Sequence, residues 1–118
     1  MSQIDQSALD NIRALQRPGS PDLLGRIVGI FVTQTPDGIK AILDGVASGD
    51  LESVRTSAHS IKSSAAYVGA IKFSSTMADV ERAAREENLA LCQELTEDLD
   101  NQAAAVIAEL NVVLDQAA

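Results

Sequence analysis

His59 is the one histidine in a chain of 118 residues, and its neighbours in sequence suit a particular chemistry. On a helix, residues three and four positions apart are neighbours on the surface. For His59 these are Arg55, Thr56, Lys62 and Ser63, with Ala66 one turn further. The face so formed holds an imidazole, two cations and otherwise short side chains. Short side chains let another protein come close to the ring, and a fixed cation within one turn can hold an anion formed on it. An imidazole in this setting suits uptake of a phosphoryl group. A lone histidine on a helix flank is usually a solvated or capping residue, with Arg55 and Lys62 as an ordinary solvated face. Spacing by itself is compatible with both.

Other constellations do not assemble. Gly25-x-x-x-Gly29 has neither P-loop nor dinucleotide-binding spacing, and reads as close helix packing. With one histidine and one cysteine, a metal cluster is not expected, and a lone Cys92 forms no intrachain disulfide. A Cys92–His59 nucleophile pair is conceivable, but Cys92 lies beside the Leu91, Leu95, Leu99 stripe and reads as a buried structural thiol. Glu86-Glu87 and the group Glu94, Glu97, Asp98, Asp100 read as a solvated helix face.

The positions of these residues depend on the elements that carry them. The chain length suits one domain, residues 1–118, and 46% hydrophobic residues are enough for a core. Breaks fall at residues 16–21, 47–50 and 67–70. Between them apolar residues recur at helical spacing, and no segment alternates long enough to be a strand. A short first helix runs from about Ser7 to Leu15, with Leu9, Ile12 and Leu15 on one face. Ser20 reads as the next N-cap, followed by Pro21 at the first helical position. That helix carries Leu23, Leu24, Ile27, Ile30 and Phe31. At Thr35-Pro36 we expect a new segment, bearing Ile39, Ile42, Leu43 and Val46, with one kinked helix as the alternative.

Asp50 caps a helix whose apolar set is Leu51, Val54, Ala58, Ile61, Ala65 and Val68, in steps of three and four. His59 lies about 100° round from this stripe. After Gly69 another helix carries Phe73, Met77, Val80 and Ala84. Asn88 then caps a last helix, from Leu91 through Leu95 and Leu99 to Val113. The expectation is all-α: an antiparallel four-helix bundle with a short extra N-terminal helix.

A net charge of −8 disfavours nucleic acid or an anionic membrane as partner, since both need a basic footprint. The polar start MSQIDQSALD is unlike a signal peptide, and no apolar stretch approaches membrane-spanning length. A cytoplasmic monomer is expected. The chain begins with Met and ends soon after the last stripe, so a free-standing protein is expected over a domain cut from a larger kinase.

The segment from Ala58 to Ala70 adds something more specific. It resembles the signature of histidine phosphotransfer (HPt) domains, matching at Ala58, His59, Lys62, Ser64, Ala65, Gly69 and Ala70, with Ile61 and Val68 as apolar equivalents. Pro21-Asp22-Leu23-Leu24, Phe31, Thr35-Pro36, Gly49-Asp50 and Val80-Glu81 also resemble family positions. The likeness spans about residues 7–114. Ser63 departs from it, because the family usually has glycine there.

The resemblance implies a phosphorelay carrier without a kinase or ATP site of its own. A receiver domain of a hybrid sensor kinase would give its phosphoryl group from an aspartate to Nε2 of His59, and a response regulator's aspartate would take it. Lys62 would offset phosphoryl charge, Ser63 would line the approach, and Glu81 would orient the other ring nitrogen. Arg55, Thr56, Lys62, Ser63 and Ala66 would meet the partner. No cofactor or metal is expected on this chain, and Mg²⁺ would come with the receiver. The rival reading is a helical adaptor that binds a receiver or kinase domain through the same face without phosphoryl transfer.

Overall fold

The computed structural model describes residues 4–19 and 22–117, and every regular element among them is helical. Helix α1 spans Gln6–Ala14, α2 Leu23–Ser48, α3 Leu51–Tyr67, α4 Ile71–Arg85, α5 Leu89–Leu95 and α6 Leu99–Ala117. The four long helices, α2, α3, α4 and α6, form the expected bundle. Helix α3 lies between α2 and α4, while α6 packs on α2. The molecule measures 48 × 25 × 20 Å. Its long axis follows from α2, whose 26 residues extend about 39 Å at 1.5 Å per residue.

Helix α2 differs from the expected pair of segments: it runs through Pro36 without a break. Its buried positions explain this. Leu24, Val28, Phe31, Thr35, Ile39 and Ile42 follow one another by three or four residues, so one continuous face meets the core. Pro36 sits on the exposed side, where water can satisfy the Val32 carbonyl that loses its partner. Asp22 caps the helix, its carboxylate accepting from the Gly25 amide at 3.0 Å. The expected cap Ser20 and its neighbour Pro21 lie outside the described residues. Ile30 points to solvent, not along the core stripe, and so does Leu15 at the end of α1. Leu9 and Ile12 supply the buried face of α1.

The turns on either side of α3 set its place. Gly49, at φ 78°, ends α2 in the left-handed conformation, and the Asp50 amide donates to the Gly45 carbonyl at 2.8 Å. Asp50 then caps α3 by accepting from the Ser53 amide. At the other end Gly69, at φ 86°, turns the chain into α4, and its carbonyl accepts from the Asp5 amide at 2.7 Å. A Cβ at Gly69 would stand 2.6 Å from the Asp5 carbonyl oxygen, so the N-terminal segment rests directly on this turn.

The last expected helix is two. Asn88 caps α5 as anticipated, but residues 96–98 form a turn before α6. Glu94, Glu97, Asp98 and Asp100 fall three and four positions apart here, and like charges at that spacing oppose a helix. Thr96 is buried and its hydroxyl donates back to the Cys92 carbonyl at 2.8 Å. Cys92 lies wholly in the core, and burial pushes its thiol up, the setting of an inert cysteine.

Candidate functional site

Helices α3 and α4 are tied side by side. Each buries an apolar face in the core, with Ala58, Ile61 and Ala65 on α3 and Phe73, Met77 and Val80 on α4, and the two helices pack closely along their length. A polar bond adds register: the Ser74 hydroxyl on α4 donates to the Lys62 carbonyl on α3 at 2.8 Å. This pairing sets His59 and Lys62 opposite Glu81.

Glu81 is a carboxylate in an unusual place. Its side chain is only 7% exposed, one turn beyond Met77 on the face that meets α3. A buried charge must find partners. Lys62 Nζ donates to Oε1 at 2.6 Å, and His59 Nδ1 lies 2.8 Å from Oε2. Arg85, one turn further along α4, places Nη2 3.4 Å from the same Oε2. The Lys62 ammonium holds the Glu81 carboxyl below the usual carboxylate range; burial opposes this, and the His59 bond reinforces it.

An ionised carboxylate only accepts, so Nδ1 of His59 carries the hydrogen and donates it to Glu81. In a neutral ring the lone pair is then on Nε2. The His59 side chain is 60% exposed, against 32% for Lys62. The ring is held at one nitrogen by a buried anion, while most of the side chain is open to solvent.

The remaining residues of the face surround this centre. Arg55 pairs with Glu52 at 2.5 Å, and the Thr56 hydroxyl donates to the Glu52 carbonyl at 3.0 Å. The Ser63 hydroxyl donates to the His59 carbonyl at 3.3 Å. Both hydroxyls are thus folded back on the helix, which keeps the surface beside the imidazole low. Ser63 and Ala66 are exposed. The structure brings His59, Lys62 and Glu81 into one hydrogen-bonded group, with Arg55, Thr56, Ser63 and Ala66 around it. Two participants escaped the sequence reading. Arg85 was signalled by its spacing of four from Glu81, whereas Ser74 follows from the helix pairing alone.

Among the described residues, no three His, Cys, Asp or Glu side chains are grouped to hold a metal ion. No helix among them is long and apolar enough to cross a membrane.

A bundle whose central helices present one oriented histidine to solvent has the design of a histidine phosphotransfer domain. The family comparison agrees: the Hpt domain model matches residues 26–109, and the chain belongs to that family. Proteins of this family carry phosphoryl groups within two-component phosphorelays and are not kinases. Among solved structures, the chain is similar to the crystal structure of histidine-containing phosphotransfer protein B (HptB) from Pseudomonas aeruginosa PAO1. The TM-score is 0.86 over 97% of this chain and 96% of that one, at 19% identity, a likeness of fold. No curated protein matches the chain.

Proposed function

We propose that His59 is the phosphoacceptor of a phosphorelay. It takes a phosphoryl group from a receiver-domain aspartate of a hybrid sensor kinase and passes it to the aspartate of a response regulator. The observation that carries this reading is the buried Glu81 carboxylate 2.8 Å from Nδ1, which leaves Nε2 as the exposed nucleophile. Nε2 attacks phosphorus, the P–N bond forms, and the acyl P–O bond breaks with its electron pair leaving on the aspartate. The ring gains positive charge in this step, and Glu81 faces that charge. The reverse step regenerates a neutral ring with its hydrogen still on Nδ1. Phosphoryl transfer asks mainly for positioning and charge stabilisation, and these residues supply both.

In this reading Lys62 offsets phosphoryl charge, Glu81 is a positioning residue, and Ser63 lines the approach. Arg55, Thr56, Lys62, Ser63 and Ala66 meet the receiver, which brings its own Mg²⁺. The chain works as a cytoplasmic monomer and needs no cofactor.

Mass spectrometry after incubation with a phosphorylated receiver domain tests this. One phosphoryl group is expected, labile in acid and stable in alkali, and absent from a folded His59→Gln protein. Binding of the receiver without any phosphoryl gain would support an adaptor instead.

A further inference from the structure

The cations around His59 differ in how firmly they are held. Lys62 is committed to Oε1 of Glu81 at 2.6 Å, and Arg55 to Glu52 at 2.5 Å. Arg82, on the outer side of α4, is paired with Asp79 at 2.9 Å. Arg85 differs from all three. Its contact with Glu81 is 3.4 Å, too long for a strong charge-assisted hydrogen bond, and its side chain, like that of Arg82, is mostly exposed. The oxygen it touches is the one that accepts from His59, so a single carboxylate oxygen separates the guanidinium from the ring. Beside it lies an open depression of about 430 Å³, which Arg85 lines together with Arg55, Glu52 and Glu87. The side chain therefore has room to move and little to lose by moving.

A phosphoryl group on Nε2 changes the balance. It brings about two negative charges and three acceptor oxygens, as a phosphate ester does. Glu81 keeps Lys62 and the ring Nδ1–H when Arg85 leaves it, so its buried charge stays compensated. Arginine is also the better partner for the new group, because its planar fork matches phosphate oxygens.

We propose that Arg85 is the exchangeable cation of this site: it screens Glu81 while His59 is free and turns to the phosphoryl group when His59 carries one. Resting on the assignment of His59 as phosphoacceptor, this makes Arg85 a determinant of how phosphoryl groups partition between this protein and its receivers. Loss of the guanidinium raises the energy of the phosphorylated form and favours the receiver.

The test uses any receiver that, charged with phosphoramidate, phosphorylates the parent protein in a screen. Parent, Arg85→Gln and Arg85→Lys proteins are each equilibrated with that receiver, and the phosphoryl ratio is read at low and high salt. Arg85→Gln should stay folded and accept phosphate on His59. Its ratio should shift toward the receiver by about two- to fivefold, the effect of one exposed charge, and less at high salt. Arg85→Lys, which keeps the charge but not the planar fork, should recover part of the difference. In the parent, the Arg85 Nε–Hε resonance should shift on phosphorylation. An unchanged ratio in Arg85→Gln, an equal loss in Arg85→Lys, or an unmoved resonance overturns the proposal while leaving the acceptor role of His59 intact. If no screened receiver phosphorylates the parent on His59, that role is overturned, and this proposal with it.

Discussion

Glu81 holds a full charge on a nearly buried side chain, and its partners make that charge useful. Its carboxyl sits below the usual range in the folded protein, chiefly because of Lys62. A carboxyl depressed by folding stabilises the native state above its unfolded pKa, about 4.3, and the gain is lost as pH falls through the lower folded value. Glu81→Gln removes this contribution. The variant should lose about 1–3 kcal/mol at neutral pH, as hydrogen bonds to a charged group are worth that much, and show a flatter acid limb. Urea unfolding of parent and variant from pH 7 down to pH 2.5 checks both; parallel curves would place the acid sensitivity elsewhere. Lys62→Ala should leave the bundle folded, because His59 and Arg85 still face Glu81. Its phospho-His59 should hydrolyse faster, by a modest factor that shrinks with salt, which a time course at two ionic strengths measures.

The helices align these residues, and Gly45 shows how closely they must approach. It lies buried in α2, where a Cβ would stand 2.7 Å from Val54 Cγ2 and 3.0 Å from the Asp50 carbonyl oxygen. Alanine normally stabilises a helix over glycine by about 1 kcal/mol. Here the clash with the buried Val54 side chain and the Asp50 carbonyl outweighs that gain, so Gly45→Ala should lower the melting temperature, and a calorimetric scan would show it. Pro36 is the opposite case. It is exposed and its ring blocks a helix hydrogen bond, so Pro36→Ala should raise stability by about 1–3 kcal/mol without touching transfer. These two positions also mark what could be read from the sequence. The α3 stripe from Val54 to Val68 was legible because every buried position is apolar. Continuity of α2 was not, since Thr35 fills the gap between Phe31 and Ile39 with a polar residue and Pro36 looks like a stop. The break before α6 was hidden because buried Cys92, Thr96, Leu99 and Ala103 keep helical spacing across it. His59 and Lys62 stood in a contiguous motif. Ser74 joins the site only through the α3–α4 pairing, which no local pattern contains, while Arg85 carries one local signal, its spacing of four from Glu81.

At the scale of the whole molecule, a chain of net charge −8 presents His59 among cations on one open face, and a partner must reach the ring across that face. Phosphoryl transfer needs the reacting atoms within about 3–3.5 Å. The height of the side chains beside His59 therefore limits which surfaces can dock. Ser63 has its hydroxyl turned back to the His59 carbonyl, so it stands little above the glycine common in the family. Ser63→Gly should keep transfer and cost the helix a few tenths of a kcal/mol. Ser63→Tyr should fold like the parent, because position 63 is exposed, yet hold a receiver away from the ring. Binding and transfer need separate readouts, by titration calorimetry and by phosphoryl exchange, since bulk at the rim can weaken one more than the other. A Ser63→Tyr protein that binds and transfers like the parent would move the docking surface off this face. A folded Ser63→Gly protein that fails to transfer would show instead that the hydroxyl leaves the helix carbonyl and joins the reaction, where a glycine-bearing relative has no such group to offer.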